Sequence, residues 1–155
     1  MPFVPNVAQG RLLADLHPRN IVLKARQLGM TTLSALMLLD DALFGEHRAN
    51  GLIAQDLGTA QAIFENIILF AYDHLPAWLA PHAIAKNRTR RELVLANGST
   101  ISVDTTFRGR TLQNLLVSEY ASVCRDRPAE AREISTGAFN AVAPGGRIIV
   151  ESTAE

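Results

Sequence analysis

The hydrophobic positions of this chain alternate between short apolar runs of strand length and longer segments with apolar residues at helical spacing. Residues 56–72, for example, place Ala60, Ile63, Phe64, Ile67 and Ile68 on one helical face. Two prolines within residues 75–81 end that helix. The pattern predicts helices over residues 9–16, 30–44, 56–72 and 130–139, and strands over residues 21–24, 51–55, 92–96, 100–104, 111–119 and 145–154.

This alternation of strands and helices predicts an α/β fold with a mostly parallel sheet and helices on both faces. The exception is the pair of strands at residues 92–96 and 100–104, which are joined through Asn97-Gly98. Asn-Gly is a strong signal for a tight β-hairpin, because both residues tolerate a left-handed backbone. A single β-hairpin insertion in the sheet is therefore expected.

The composition of the chain excludes several classes of protein. The chain has 155 residues, 48% of them hydrophobic, which suits one folded domain. Lys plus Arg equals Asp plus Glu at 15 each, so the domain is not a strongly basic nucleic-acid binder and any DNA contact must be local. A single cysteine, Cys124, excludes an internal disulfide. No signal peptide or membrane span is indicated, and no membrane partner is expected.

Candidate chemistry begins where the first strand meets the second helix. Phosphate-binding loops read G-x-x-x-x-G-K-[ST] between a strand and a helix, so that backbone N–H groups surround phosphate oxygens. Here Gly29 matches the second glycine and Thr31 the Mg²⁺-binding hydroxyl, but Met30 replaces the lysine and Lys24 stands at the first glycine. The ammonium would then reach the phosphates from the other end of the loop. The alternative is that Gly29 simply permits a turn and that Lys24 is solvated.

A second strand ends in Ser118-Glu119. An acidic residue at this position of a Walker B strand lies beside Mg²⁺ and the γ-phosphate and can activate water. Because Ser118 replaces the usual first acid, Glu119 is the candidate base, and metal coordination would rest on Thr31, phosphate oxygens and water, with Ser118 as a possible indirect contact. The alternative is a buried strand whose Ser and Glu merely begin a turn.

The third strand, within residues 145–154, ends in Ser152-Thr153. In helicase-like ATPases such a strand lies beside the Walker B strand, and its tip can sense the γ-phosphate. Alone, two hydroxyl residues would more often mark an ordinary strand end or helix cap. Three strand-end motifs in the order expected of one nucleotide site favour an NTPase with a RecA-like P-loop core.

With these motifs in view, the chain resembles the ATPase domain of the large terminase subunit of tailed bacteriophages, the motor that packages DNA into proheads. KARQLGMTT, at residues 24–32, is similar to the family's deviant Walker A motif. Residues 107–121 are similar to its Arg-Gly-Thr-Leu segment and Walker B strand, and residues 151–154 to its motif III. Gln9 stands where the family has an adenine-reading glutamine. Phe3, six residues earlier, is either a stacking partner for adenine or an ordinary packing residue.

The resemblance implies an ATP- and Mg²⁺-dependent site. Its catalytic residues would be Glu119 and Arg26, and its coupling residues Ser152 and Thr153. The nucleotide-binding residues implied are Gln9, Lys24, Ala25, Arg26, Gln27, Leu28, Gly29, Met30, Thr31 and Thr32. The implied partners are double-stranded DNA, a portal protein, a small terminase subunit and further copies in a homo-oligomeric ring, all in the host cytoplasm.

The family also has a nuclease domain downstream, so residues 1–155 are expected to be a partial ATPase domain that ends after motif III, without nuclease activity. Two other enzyme classes remain open. A helicase-like ATPase would normally have lysine at Met30 and aspartate at Ser118, and a partition-type ATPase would keep a lysine directly before Thr31. The non-enzymatic alternative is an inactive remnant of a truncated prophage gene.

Basic residues cluster in one run, residues 86–91, which either contacts DNA phosphates or forms a solvated turn; the turn is favoured. Arg108 and Arg110 precede the Walker B strand, where one of them faces either the nucleotide or a neighbouring subunit. The sequence does not choose between these roles.

Overall fold

The computed structural model describes residues 3–153, which form one seven-stranded sheet with helices on both faces. The strands are β1 (Arg19–Lys24), β2 (Ala49–Ile53), β3 (Ala85–Arg88), β4 (Glu92–Leu95), β5 (Thr100–Val103), β6 (Leu112–Ser118) and β7 (Val142–Thr153). The helices are α1 (Val7–Ala14), α2 (Met30–Phe44), α3 (Leu57–Ile63), α4 (Phe70–Asp73), α5 (Tyr120–Asp126) and α6 (Pro128–Glu133). A π-helical segment, Phe64–Leu69, joins α3 to α4, another, Ile134–Ala138, follows α6, and Ala80–His82 is a short 3₁₀ helix.

The sheet has the order β1-β7-β6-β2-β5-β4-β3. Strands β1, β7, β6, β2 and β5 pair with one another in parallel, whereas β4 pairs antiparallel with both β5 and β3. The predicted mostly parallel sheet and its hairpin insertion are therefore confirmed. The hairpin turn contains Gly98 with φ +80°, the left-handed geometry for which glycine is suited.

Each face of the sheet has its own apolar core. On one face α2, α3 and the following π-helical segment pack against the sheet through residues such as Leu38, Phe64 and Ile68. On the other face Phe107 and the helices α5 and α6 cover β6 and β7. The prediction of helices on both faces is confirmed, because each crossover between parallel strands buries its apolar stripe on the sheet.

Several element boundaries differ from the sequence pattern. The predicted turn at residues 86–91 contains part of an edge strand, β3, and two of its arginines have ion-pair partners: Arg88, at the end of β3, pairs with Asp73, and Arg90, just after it, pairs with Glu65. Helix α5 was not predicted, because this seven-residue helix has no side-chain cap.

Strand β1 forms an open edge of the sheet. Val22 packs against the core, but Ile21 and Leu23 point to the opposite face and are exposed. That face of β1 therefore has no helix over it among residues 3–153. Within the same residues, no helix combines the length and apolar character needed to cross a membrane.

Candidate phosphate-binding site

The carboxyl ends of three parallel strands, β1, β7 and β6, lie side by side at one edge of the sheet. In the register of β1 with β7, Lys24 lies opposite Thr153, and in the register of β6 with β7, Ser118 lies opposite Glu151. Parallel α/β sheets bind ligands at this edge, because loops and helix N-termini converge there. The three predicted motifs are therefore brought together in space.

The ammonium of Lys24 is the centre of this arrangement. Its Nζ donates a hydrogen bond to Thr31 Oγ1 at 3.0 Å and lies 3.3 Å from Glu119 Oε1 and 3.7 Å from Glu151 Oε2. The Lys24 side chain is only 10% exposed and that of Glu151 is fully buried. Charges removed from water need close partners of opposite sign, so this cation and these two carboxylates depend on one another.

Glu151 is a part of the site that received no role from the sequence. The hydroxyl of Ser118 donates to its Oε1 at 2.8 Å, whereas Oε2 has no hydrogen-bond partner within residues 3–153. The available signal was an acidic residue at the end of a strand beside Ser118-Glu119. Its complete burial depends on tertiary packing, which a single sequence does not show.

Glu119 is held in place by β7. Its backbone is left-handed, with φ +54°, directly before α5, and its carboxylate accepts hydrogen bonds from the Thr153 N–H at 3.1 Å and the Thr153 hydroxyl at 3.0 Å. Burial raises the pKa of Glu119, but the bonds from Thr153 and the charge of Lys24 outweigh it, so the pKa lies below its ordinary value. The carboxylate is thus ionised and oriented at neutral pH.

The loop before α2 has a strongly turned backbone. Gln27 and Gly29 both have positive φ, +63° and +66°, so the chain turns sharply before α2 begins at Met30. The Met30 side chain is buried in the core and therefore does not take the place of a phosphate-binding lysine. Arg26 and Ala25 are exposed, and Thr31 and Thr32 form the first turn of α2.

Side chains at the start of helix α1 bind two carbonyl groups of this loop. The Asn6 side-chain amide donates to the Leu28 carbonyl at 3.0 Å, and Gln9 Nε2 donates to the Gly29 carbonyl at 2.7 Å. Asn6 and Gln9 also form a reciprocal capping box, in which Gln9 Oε1 accepts from the Asn6 N–H. Gln9 is buried, and both ends of its carboxamide have backbone partners; its role in reading adenine stays a prediction.

The side chains at the strand ends border a polar cleft of about 420 Å³. Its walls include Lys24, Arg26, Gln27, Gln55, Glu119, Ser122, Arg125 and Thr153. Ser152 lies beside it, where its Oγ accepts a hydrogen bond from the Ala121 N–H at 3.0 Å. The cleft therefore combines cations from β1 and the loop with one oriented carboxylate.

The oxygen donors around Lys24 are of the type that a hard divalent cation prefers, but here they surround the ammonium of Lys24. The hydroxyl of Thr31 and carboxylate oxygens of Glu119 and Glu151 all lie within 3.7 Å of the Lys24 ammonium, and the second oxygen of Glu151 is buried without a hydrogen bond. No group of three or more His, Cys, Asp or Glu side chains in the described part of the chain forms a metal cage. A cation here would need further oxygens, from phosphate or water.

Comparison with known proteins gives a fold match only. No protein-family model and no curated protein sequence matches the chain. Among solved structures, the large terminase ATPase domain of Thermus phage P74-26 aligns with a TM-score of 0.70 at 16% identity, over 99% of this chain and 66% of that one. A large terminase from a thermophilic bacteriophage aligns with a TM-score of 0.64 at 14% identity, over 98% and 39%.

A further structure of a large terminase from a thermophilic bacteriophage, in complex with ADP, aligns with a TM-score of 0.57 at 14% identity, over 87% of this chain and 33% of that one. This chain therefore spans about two thirds of the length of the P74-26 domain and a smaller share of the other two. The chain has the RecA-like α/β fold of the ATPase domains of phage large terminases.

Proposed function

We propose that this chain binds and hydrolyses ATP as part of a viral motor that packages double-stranded DNA. The observation that carries the proposal is the position of the Lys24 ammonium, which meets Thr31 of the loop and Glu119 at the end of β6. Residues from a displaced-lysine loop and a Walker B strand thus share one cation. A solvated lysine beside an ordinary turn would not have these partners.

Phosphate binding would use the loop and its two cations. Because Asn6 and Gln9 bind the carbonyls of Leu28 and Gly29, the N–H groups on the far sides of those trans peptides point away from α1. Those N–H groups and the first turn of α2 favour anions, and Lys24 and Arg26 add positive charge. Thr31 would hold Mg²⁺ together with phosphate oxygens and water.

Glu119 is the candidate base for water attack. ATP supplies the phosphoryl group, and Mg²⁺ offsets the negative charge on it. Glu119 is ionised because its pKa is lowered, and Thr153 fixes the direction of its carboxylate. A carboxylate in this state orients a water molecule and accepts its proton.

The two hydroxyl residues at the end of β7 provide a route for coupling. Thr153 binds the Glu119 carboxylate, and Ser152 binds the backbone of Ala121 at the start of α5. A change of charge at Glu119 would therefore affect the contacts of both β7 and α5. We assign the coupling role to Ser152 and Thr153 on this basis.

The motor context rests on the fold and on the resemblance of three motifs to large terminases. It implies double-stranded DNA, a portal protein and a small terminase subunit as partners, a homo-oligomeric ring, and the host cytoplasm as the location. The second candidate is an inactive remnant with the same fold. The ion pairs of Lys24 with Glu119 and Glu151 favour a working site. In a loop that had lost its function, nothing would preserve a buried cation between two carboxylates.

The test uses the two lysines of the chain. Lys24→Ala should weaken Mg-ATP binding by about tenfold or more, because a charge-assisted hydrogen bond contributes about 1.5–3 kcal/mol. Lys86, exposed on β3, is the matched control, and Lys86→Ala should leave affinity unchanged. Affinity is measured by calorimetric titration at one salt concentration.

Lys24→Ala also removes the partner of the buried Glu151, so the unfolding temperature of each variant must be recorded alongside affinity. Titrations are run well below both unfolding temperatures. If folded Lys24→Ala binds Mg-ATP as tightly as Lys86→Ala does, Lys24 does not contact phosphate and the proposal fails.

A further inference from the structure

Glu151 of β7 is a charged side chain of the site to which the proposed chemistry gives no role. Its side chain is fully buried, and its Oε2 lies 3.7 Å from the ammonium nitrogen of Lys24. We infer that Glu151 is a positioning residue, which holds the Lys24 ammonium at the place where phosphate is to bind. The inference rests on the proposed function, because it concerns the lysine of that phosphate site.

The sheet places Glu151 where it can reach both neighbouring strands. β7 lies between β1 and β6, and Glu151 is opposite Val22 of β1 and Ser118 of β6. Side chains two residues apart on a strand share a face, so Lys24 lies on the same face of β1 as Val22. Val22 packs against the core between the sheet and α2, and Ile149, two residues before Glu151, belongs to that core. Lys24 and Glu151 therefore point to the face of the sheet that α2 covers.

The hydroxyl of Ser118 fixes the other oxygen of this carboxylate. It donates to Glu151 Oε1 at 2.8 Å, and both side chains are buried. A Walker B strand commonly has its first acid at the position that Ser118 occupies here. In this chain a buried acid lies one strand away, on β7, next to the lysine that stands at the end of β1. The two departures from the common pattern are therefore complementary in charge.

The partners of the Lys24 ammonium differ in their exposure to a ligand. Thr31 and Glu119 take part in the proposed binding of Mg²⁺ and water, and the Glu119 side chain is 26% exposed and borders the cleft. Glu151 has no exposed surface, so neither water nor a nucleotide reaches it while Lys24 is in place. A buried carboxylate without its cation is costly, whereas a partly exposed ion pair contributes little. Glu151 therefore confines the ammonium more strongly than Glu119 does, although Glu119 is the closer carboxylate.

The contact with Glu151 leaves the ammonium able to bind phosphate. At 3.7 Å this ion pair is too long for a hydrogen bond, and an ammonium has three N–H donors. Glu151 therefore holds Lys24 by charge and uses none of these donors. A lysine that is already fixed loses less conformational entropy when phosphate binds, which corresponds to about a three- to tenfold gain in affinity.

The experiment compares the removal of each carboxylate charge. The chain has two lysines, Lys24 and Lys86, so protein labelled with ¹³C-lysine gives two sets of side-chain NMR signals. Relaxation of the Cε group is measured without nucleotide. We expect Glu151→Gln to make the Lys24 side chain mobile, whereas the matched variant Glu119→Gln leaves it restricted. Lys86, exposed on β3, is the internal reference for a mobile lysine. If Glu151 only stabilised the fold, its loss would not loosen Lys24 in the folded protein.

Titration of the same proteins with Mg-ATP tests the consequence for binding. Glu151→Gln should weaken binding about three- to tenfold, and Glu119→Gln should retain the wild-type affinity. The direction is informative, because removal of a negative charge near a phosphate would by itself strengthen binding.

The outcomes separate the two proposals. If Glu119→Gln loosens Lys24 as much as Glu151→Gln does, the inference alone is overturned. The same holds if Glu151→Gln binds Mg-ATP at least as tightly as the wild type. If the wild type binds no Mg-ATP, the proposed function fails, and this inference fails with it.

A stability comparison covers the case in which Glu151→Gln alone does not fold. Lys24→Ala leaves Glu151 without its cation, so adding Glu151→Gln to Lys24→Ala should raise the unfolding temperature. Adding Glu119→Gln to Lys24→Ala should raise it less, because Glu119 keeps its hydrogen bonds from Thr153 and is partly exposed. Equal increases would contradict the inference.

Discussion

At Glu119, a left-handed backbone and two hydrogen bonds from Thr153 fix the direction of one carboxylate. Non-glycine residues rarely adopt positive φ, and when they do it costs of order 1 kcal/mol or more, so neighbouring contacts must hold the conformation. Here the contacts come from Thr153 and from Lys24, two residues of the same cleft. The strain therefore lies at the residue that we propose as the base.

Replacing Glu119 by glutamine tests that role. Glu119→Gln keeps the shape of the side chain and can still accept a hydrogen bond from Thr153, but it cannot accept a proton. We expect Mg-ATP affinity to be retained and the turnover rate of the proposed motor to fall by about 10²-fold or more. Single-turnover hydrolysis and nucleotide titration measure the two effects separately.

Glu46→Gln, at an exposed position just after α2, provides the control for loss of a surface charge. It should leave both binding and turnover unchanged. Turnover by Glu119→Gln at the wild-type rate would exclude Glu119 as the base.

The sequence predicted the residues of the site better than their contacts. Lys24, Thr31, Glu119 and Thr153 meet because strand ends in a parallel sheet meet, and motif order was enough to expect that. The burial of Glu151 was not predictable, because it depends on helices and strands far away in the sequence.

At the level of elements, the N-terminal turn of α1 and the loop before α2 act as one unit. The loop carbonyls at Leu28 and Gly29 are bound by Asn6 and Gln9, which are also the capping box of α1. Gly29 has φ +66°, and a Cβ added to it would lie 2.8 Å from Gln9 Nε2. The loop thus needs glycine for both its backbone and its neighbour.

Two glycine substitutions test this contact. Gly29→Ala should destabilise the fold by about 1 kcal/mol or more and weaken nucleotide binding, because the left-handed backbone and Gln9 both oppose a Cβ. Gly10→Ala, in the middle of α1 where an added Cβ meets nothing within 4 Å, should stabilise by about 0.5–1 kcal/mol. Urea unfolding measures the change in stability for both variants. If Gly29→Ala and Gly10→Ala change stability by the same amount and in the same direction, the contact between Gln9 and the loop does not contribute to stability.

The sequence pattern predicted long elements well and short ones poorly. Helix α2 has the predicted bounds, Met30–Phe44, because its apolar spacing continues over four turns. Strand β3 and helix α5 are short, and tertiary contacts rather than local pattern stabilise them: salt bridges of Arg88 and Arg90 beside β3, and packing of Val123 in α5. Local propensity cannot show such contacts.

For the whole molecule, the lowered pKa values of several carboxyl groups predict sensitivity to acid. The groups are Glu119, hydrogen-bonded to Thr153; Asp56, which caps α3; and Asp73, paired with Arg88. A pKa that is lower in the folded chain adds stability above the unfolded value, 3.8 for Asp and 4.5 for Glu, and that stability is lost as pH falls further.

We therefore expect the urea midpoint of unfolding to be constant near neutral pH and to fall steadily below about pH 4.5. Asp56→Asn keeps a capping oxygen for Thr59 but does not titrate, so its midpoint should decline less steeply with acid than that of the wild type. A midpoint that stays level down to pH 3 would mean that these carboxyl groups do not stabilise the fold.

The layout of the sheet as a whole followed from the alternation of strands and helices, since parallel strands require crossovers and these cover both faces. The position of β1 at an open edge could not be predicted from that alternation. Strand order depends on which neighbours bury which faces, and exposed Ile21 and Leu23 read in the sequence as an ordinary buried strand.

The single cysteine of the chain lies exposed on α5, the helix that begins directly after Glu119 and whose backbone is bound by Ser152. A thiol-reactive fluorophore would therefore attach to the wild-type sequence at one position, on the helix nearest to the proposed base. Any rotation of α5 that accompanies a change at the cleft would alter the polarisation or quenching of that dye. The protein thus contains its own attachment point for following the site in real time, with no engineered residue.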